Sequence, residues 1–211
     1  MSQPTIRKQR IRRSSVKTRL IVFGTLAVLL LLFSIFSEYL PPYDPYLQDL
    51  SIAKAPPSAE HLLGTDRYGR DMLSRVIAGS RASIFSTLLL VAVITMLGTV
   101  VGVFCGWHGR WMDTVLMRIS DMFLAFPGLV FALAVAGSLG GGLQNAIIAL
   151  AAISWPKYAR IARSQTLAQK ETVWMKAAKL SGSSTVKLIF KHILPNIIGP
   201  ILVTAMLDIG T

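Results

Sequence analysis

The sequence predicts an all-α fold, a polytopic bundle of membrane-spanning helices, from three features. Hydrophobic residues make up 53% of the 211 residues, and charged residues make up only 15%. The apolar residues cluster in long uncharged runs instead of following the one-sided period of a soluble helix. A hydrocarbon core about 30 Å thick is crossed by about 20 apolar residues, and several runs reach or approach that length.

The uncharged runs predict four complete membrane spans and the start of a fifth. The first two cover Leu20–Ser37 and Ala82–Trp107, and the next run, Met122–Pro156, is long enough for two spans. We expect its break at residues 137–145, GSLGGGLQN, because four glycines and two amides favour a turn over a helix. The last run, Ile197–Thr211, has only 15 residues.

The distribution of basic residues predicts the orientation of the chain. Seven Lys or Arg residues lie between Arg7 and Arg19, directly before the first apolar run. This places a basic tail, residues 1–19, in the cytoplasm and the first transmembrane helix at 20–37. A net charge of +12 is also typical of proteins that bind nucleic acid. Because the basic residues alternate with lipid-length segments, positive-inside bias explains them better, and no nucleic-acid partner is expected.

Residues 38–81 form the predicted outer loop, which begins with several prolines and then changes character. Met72, Leu73, Val76 and Ile77 recur at helical spacing, with polar residues between them. This pattern predicts an amphipathic helix that lies on the bilayer before the second span.

Small residues and proline mark two of the spans. Gly98, Gly102 and Gly106 repeat every four residues in the second span, which predicts close packing against another helix. Pro127 removes a helical hydrogen bond, so it predicts a bend in the third span.

Three charged residues lie near or within the spans, and each is a candidate for a structural or a transport role. Arg118 and Asp121 are spaced to meet on one helix face. Counting from Pro195, Asp208 lies about 20 Å along the last helix, inside the apolar core. A lone carboxylate there is a candidate for the translocation path, where it would attract a cationic substrate. The alternatives are a structural hydrogen bond to a neighbouring helix or an interfacial position.

The sequence carries no pattern typical of an enzyme. No G-x-x-x-x-G-K-[ST] phosphate-binding loop occurs, so ATP is not expected to bind this chain. The three histidines are isolated, and the single cysteine, Cys105, lies within a span. We therefore predict no catalytic residue, no cofactor and no metal site. A transporter, a pore or a membrane scaffold remains.

Two stretches resemble the permease subunits of bacterial ABC importers. KAAKLSGSSTVKLIFKHILPN, which begins at Lys176, is similar to their E-A-A-x3-G-x9-I-x-L-P signature, although Lys176 replaces the usual acid. The positions that match are Ala177, Ala178, Gly182, Leu194 and Pro195. The stretch LLGTDRYGRDMLSRVIAGSRAS resembles the outer loop of the dipeptide, oligopeptide and nickel branch.

The resemblance implies the type I importer permease fold, with six spans in the bacterial inner membrane. About four and a half spans would be present here, so the chain is expected to be truncated at its C-terminus. Residues 82–211 would form the permease core, with a coupling loop at 157–195 that docks onto an ATPase subunit. The implied partners are a sister permease subunit, two ATPase subunits, an external solute-binding protein and the lipid bilayer.

The resemblance leaves two substrate classes open, nickel or its chelate and di- or oligopeptides. The sequences KLSG and LDIG, together with the predicted lone Asp208, favour nickel slightly. The alternative from another class is a membrane scaffold, or an inactive truncated permease, that transports nothing.

Overall fold

A computed structural model describes residues 5–210 of the chain, with side chains from residue 16 onward. It confirms the all-α prediction, since the described residues contain helices and no strand. The helices are α1 Thr5–Phe36, α2 Met72–His108, α3 Arg110–Ala125, α4 Gly128–Ser138, α5 Leu143–Lys170, α6 Val173–Leu180, α7 Thr185–Leu188 and α8 Leu194–Ile209. Residues 1–4 of the predicted tail and Thr211 of the predicted fifth span lie outside the described residues.

Three helical segments are long and apolar enough to cross a membrane: Val16–Phe36, Met72–His108 and Thr185–Ile209. The bent pair α3 and α4 makes a fourth if it is counted as one span. Helix α5 begins with an uncharged half, but its second half carries several basic residues, and it is not among these candidates. By internal contacts the chain divides into two units, residues 1–85 and 86–211, which are described in turn.

The first unit contains an ordered segment between α1 and α2, organised around two aspartates. Asp66 accepts hydrogen bonds from the Arg70 side chain, with Nε at 2.8 Å, and from Arg75 Nη1 at 2.5 Å. Asp71 caps the start of α2, because its Oδ2 accepts from the backbone N and the Oγ of Ser74, both at 2.7 Å. His61 Nδ1 lies 3.0 Å from the other oxygen of Asp71.

At Gly69, the backbone of this segment passes very close to the backbone of Asp49 in the same segment. Its φ is +73°, and a Cβ there would lie 1.6 Å from the carbonyl oxygen of Asp49. Only glycine fits this position, because any side chain would collide with backbone.

The predicted amphipathic helix is not a separate element. Helix α2 begins at Met72 and continues without a break to His108, so Met72, Val76 and Ile77 belong to the same helix as the second span. At about 1.5 Å per residue, its 37 residues are about 55 Å long, well beyond a hydrocarbon core of about 30 Å. No proline interrupts residues 72–108, and a single glycine such as Gly79 does not end a helix.

In the second unit, the bend predicted at Pro127 is confirmed. Its angle is larger than that of a single proline kink within a continuous helix. Helices α3 and α4 lie 90° apart across a break of two residues. Phe126 is extended, as expected for a residue before proline, and Pro127, which is also extended, directly precedes α4. The glycine-rich turn is also confirmed, since Gly140, Gly141 and Gly142 have positive φ between α4 and α5.

Two helix boundaries differ from those predicted. Residues 157–170, assigned to the coupling loop, continue α5 as regular helix. The last apolar helix begins ten residues before Pro195, because α7 and a π-helical turn at Ile189–Ile193 lead directly into α8. Pro195 lies in the first turn of α8, directly after the π-helical turn.

The buried core of the second unit joins α2, α5, α6 and the run from α7 to α8. Aliphatic side chains from these helices pack around Tyr158 and Met175, both of which are fully buried. The other members are Val91, Ile94, Val103, Ala151, Ala162, Leu188, Ile193, Ile197, Ile201 and Ala205. This core holds the short helix α6 against longer helices.

Candidate functional site

Helix α6 lies between two backbone turns that separate it from its neighbours. Thr172, before it, is extended with ψ of 147°, and Gly182, after it, has a φ of +78°. The amide of Gly182 donates to the Lys179 carbonyl at 3.0 Å, and the amide of Ser183 donates to the Ala178 carbonyl at 3.2 Å. This pattern satisfies carbonyls at the end of the helix and favours glycine at the left-handed position.

The residues of the predicted coupling signature divide between a buried and an exposed side. Ala178 packs against the core of the second unit, as does Leu194 at the start of α8. Lys176 and Ala177 are exposed on α6, and Pro195 is exposed on α8. Lys176 Nζ lies 3.0 Å from the carboxylate of Glu171, so its charge is paired within the loop.

The exposed side of α6 is apolar at both ends. Val173 is 84% exposed and Leu180 is 90% exposed. Met175, between them in sequence, is fully buried and anchors the helix. Because α6 is short and is held by a buried side chain, its exposed apolar side chains form a surface suited to contact another protein.

Sequence reasoning missed the aromatic and lysine contacts that hold α6. The rings of Trp174 and His192 are 5.5 Å apart and tie α6 to the π-helical turn. The Lys179 ammonium lies 4.7 Å from the centre of the Trp107 ring at the end of α2. These partners are far apart in the sequence, and no spacing rule connects them.

The glycine stripe marks the closest approach of α2 to α5. A Cβ on Gly98 would lie 2.4 Å from the Cβ of Tyr158. A Cβ on Gly102 would lie 2.3 Å from the carbonyl oxygen of Ala159, and one on Gly106 would lie 2.8 Å from Thr166 Cβ. The two backbones are therefore packed with no space for a side chain between them.

Asp208 is not a lone carboxylate, and that part of the sequence interpretation is wrong. Its Oδ1 lies 2.5 Å from Lys157 Nζ, and its Oδ2 accepts a 2.8 Å hydrogen bond from the Tyr158 hydroxyl. Both partners are on α5, so the aspartate links α8 to α5. A place for Asp208 in the translocation path stays a prediction.

The other charged residues of α5 are also paired with neighbouring helices. Arg163 donates two hydrogen bonds to Asp113 on α3, at 2.5 and 2.6 Å. Arg160 forms an ion pair with Asp121, so Asp121 contacts α5. A contact between Asp121 and Arg118, which the spacing allows, stays a prediction. Within residues 5–210, no group of three or more His, Cys, Asp or Glu side chains is placed to hold a metal ion.

An apolar groove of about 580 Å³, here called the α2–α8 groove, lies between α2 and α8 in the second unit. Its lining is aliphatic apart from the hydroxyls of Thr95 and Thr99. Asp208 is not among the lining residues, which agrees with its contacts to α5.

The chain is similar to known membrane transport proteins. The model of the family "Binding-protein-dependent transport system inner membrane component" matches residues 98–211, which hold the glycine stripe, α5, α6 and α8. A probable D,D-dipeptide transport system permease of Escherichia coli K12 is 43% identical over 188 residues, which cover 89% of this chain and 63% of that protein.

Two further relatives carry different substrate names. A dipeptide transport system permease of Alkalihalophilus pseudofirmus is 37% identical and is matched over 92% of this chain and 64% of its own length. A nickel transport system permease of Escherichia coli K12 is 38% identical and is matched over 94% of this chain and 70% of its own length. The chain spans less than two thirds of the length of the first of these relatives. The chain belongs to the family of inner-membrane components of binding-protein-dependent transport systems.

Proposed function

We propose that the chain forms one half of the translocation path of an ATP-driven importer and receives the ATPase movement through α6. The observation that carries the proposal is the form of α6, an eight-residue helix with its apolar ends exposed and its centre anchored by the buried Met175. Such a surface needs a partner to cover Val173 and Leu180. The partners in this proposal are a sister permease, two ATPase subunits on the cytoplasmic side and an external solute-binding protein.

The proposal places the N-terminus, the α5–α6 connection and α6 on the cytoplasmic side. Seven basic residues precede the first span, and basic residues are again dense from Lys157 to Lys191. Positive-inside bias favours this arrangement, since both segments then face the cytoplasm. The ordered segment between α1 and α2 would face outward, toward a solute-binding protein.

A small peptide is the cargo we propose first. A relative named for D,D-dipeptide transport is 43% identical, and another named for dipeptides is 37% identical. The sequence argument for nickel used KLSG, LDIG and a lone Asp208, and the pairing of Asp208 with Lys157 removes the last of these three grounds. Nickel is the second candidate, because a relative named for nickel transport is 38% identical over 94% of this chain.

Gly182 gives the sharpest test of the coupling role. Nothing lies within 4 Å of a Cβ added there, so a substitution acts through the backbone alone. Gly182→Val disfavours the positive φ, whereas Gly182→Asn tolerates it, since asparagine visits this region more readily. We expect Gly182→Val to lose uptake and ATPase co-purification while staying in the membrane, and Gly182→Asn to retain both.

The measurement is uptake of labelled dipeptide and of radiolabelled nickel in cells that co-express the partner subunits. Co-purification in mild detergent is measured on the same samples. Full uptake and intact co-purification by Gly182→Val would contradict docking through α6. If the unmodified chain brings down no ATPase subunit, the scaffold alternative is favoured over the importer.

A further inference from the structure

A lysine at the end of α5, where the chain leads into α6, binds the C-terminal end of α2. Lys170 is the last residue of α5, and its Nζ donates to the backbone carbonyls of Trp107, at 2.6 Å, and Gly106, at 3.1 Å. These carbonyls belong to the last turn of α2, which ends at His108. Carbonyls in a last helical turn have no partner within the helix, and a lysine that binds them also complements the negative end of the helix dipole.

The same tryptophan is held from α6. The Lys179 ammonium lies 4.7 Å from the Trp107 ring centre, and the Lys170 ammonium lies 5.7 Å from it. Both distances are within the range of a cation–π contact. Trp107 is therefore bound by its backbone from α5 and by its ring from α6. We call the three side chains Lys170, Trp107 and Lys179 the α2 junction.

The α2 junction lies at one end of a rigid contact. The stripe of Gly98, Gly102 and Gly106, which ends at the residue before Trp107, packs α2 directly on the α5 backbone. A displacement of α6 therefore reaches α2 directly through Lys179 on the Trp107 ring, and a displacement of the end of α5, which leads into α6, reaches α2 through Lys170 on the backbone carbonyls. Helix α2 also forms one wall of the α2–α8 groove.

We propose that Lys170 and Trp107 are positioning residues that pass the movement of α6 to α2 during transport. The inference rests on the proposed coupling role of α6. It differs from docking, because neither residue has to touch the ATPase. Loss of the junction should leave the docking surface of α6 in place and weaken the response of α2.

Lys170→Met removes the ammonium with little change in side-chain bulk, and Trp107→Leu removes the π face with a smaller apolar side chain in its place. Lys170→Arg keeps hydrogen-bond donors, and Trp107→Phe keeps a π face. Lys17→Met is the matched control, because Lys17 is an exposed lysine on α1, outside residues 157–195. The full chain is expressed with its partner subunits and reconstituted in vesicles. The readouts are ATPase co-purification, ATP hydrolysis and labelled dipeptide transported per ATP hydrolysed.

We expect Lys170→Met and Trp107→Leu to keep co-purification and hydrolysis but to lower transport per ATP by at least about five-fold, the low end of typical coupling between sites. Lys170→Arg and Trp107→Phe should restore most of the ratio, and Lys17→Met should not change it. An unchanged ratio in Lys170→Met and Trp107→Leu would overturn the inference. A ratio that the conservative variants fail to restore would also overturn it. Failure of the unmodified chain to bind an ATPase would instead overturn the proposed function.

Discussion

At Gly102, the packing of α2 on α5 leaves no room for a methyl group. A Cβ there would meet the Ala159 carbonyl oxygen at 2.3 Å, the Ala162 Cβ at 2.7 Å and the Arg163 amide nitrogen at 2.9 Å. Two of the three atoms are backbone, so no side-chain rotation relieves the collision. The helices would have to separate, which would also loosen the neighbouring contacts of the buried core.

Gly102→Ala should therefore destabilise the protein by about 1–3 kcal/mol, the usual cost of overpacking. Gly79→Ala is the matched control, because Gly79 lies on the same helix with nothing within 4 Å of an added Cβ. Alanine has the higher helix propensity, so this control should be neutral or slightly stabilising. Thermal unfolding in detergent measures both variants. Equal melting temperatures for Gly102→Ala and Gly79→Ala would contradict the packing.

At the scale of elements, the sequence predicted features that depend on local chemistry. The break at Pro127 and the turn before Leu143 follow from proline and glycine geometry, which neighbours several residues away do not change. A helix was predicted at Met72–Ile77, where Asp71 and Ser74 form a capping pair, but its continuation into the second span was missed. Hydropathy had divided the continuous helix into an interfacial part and a span, because polar residues before Ala82 resemble a boundary.

The structure of the segment between α1 and α2 depends on two ionised carboxylates, those of Asp66 and Asp71. Partial burial by itself raises the pKa of Asp66, but hydrogen bonds from Arg70, from the Tyr68 and Arg70 amides and from Arg75 outweigh it. The pKa of Asp66 is therefore held well below its usual range. The same balance, with Ser74 and His61 as the stabilising partners, lowers the pKa of Asp71.

Because the folded-state pKa of both carboxyls is lowered, their stabilisation is complete above the unfolded value of 3.8 and is lost as the pH falls below it. We expect the amides of Tyr68 and Arg70 to be protected at pH 5 and to lose protection progressively below about pH 4. Asp66→Asn should lower that protection at neutral pH and flatten its pH dependence.

Pulse-labelling hydrogen exchange, with the same pulse after incubation at each pH, measures this change in the full chain. Glu60→Gln is the control, because Glu60 is an exposed carboxylate in the same segment. The role of Asp66 is refuted if Asp66→Asn and the unmodified chain lose protection over the same pH range.

At the scale of the molecule, α5 connects the second unit through charges as well as through close packing. Lys157 pairs with α8, and Arg160 and Arg163 pair with α3. These partners are separated from α5 by 39 to 51 residues in the sequence, beyond the reach of any helical spacing rule. For this reason Asp208 could be located in an apolar helix from the sequence, but its partners could not be identified.

The contacts of Asp208 lead to a prediction with two distinguishable outcomes. Asp208 acts either structurally, by holding α8 against α5, or directly, in the translocation path. Asp208→Asn removes the charge that faces Lys157 and should cost about 1 kcal/mol, since the Lys157 side chain is half exposed. In Lys157→Met/Asp208→Asn the unmatched charge is gone, so the free energy of unfolding should return toward that of the unmodified chain. Dipeptide uptake should recover in parallel if Asp208 acts by holding α8 against α5.

Denaturant unfolding and uptake are measured on the two single variants and on the double variant. Lys187→Met/Asp208→Asn is the control pair, because Lys187 lies on α7 and its removal should not restore the energy lost at Asp208. If stability recovers in the Lys157 pair while uptake stays low, the carboxylate itself is needed for transport. The position predicted for Asp208 from the sequence alone, in the translocation path, would then be the better account of this residue.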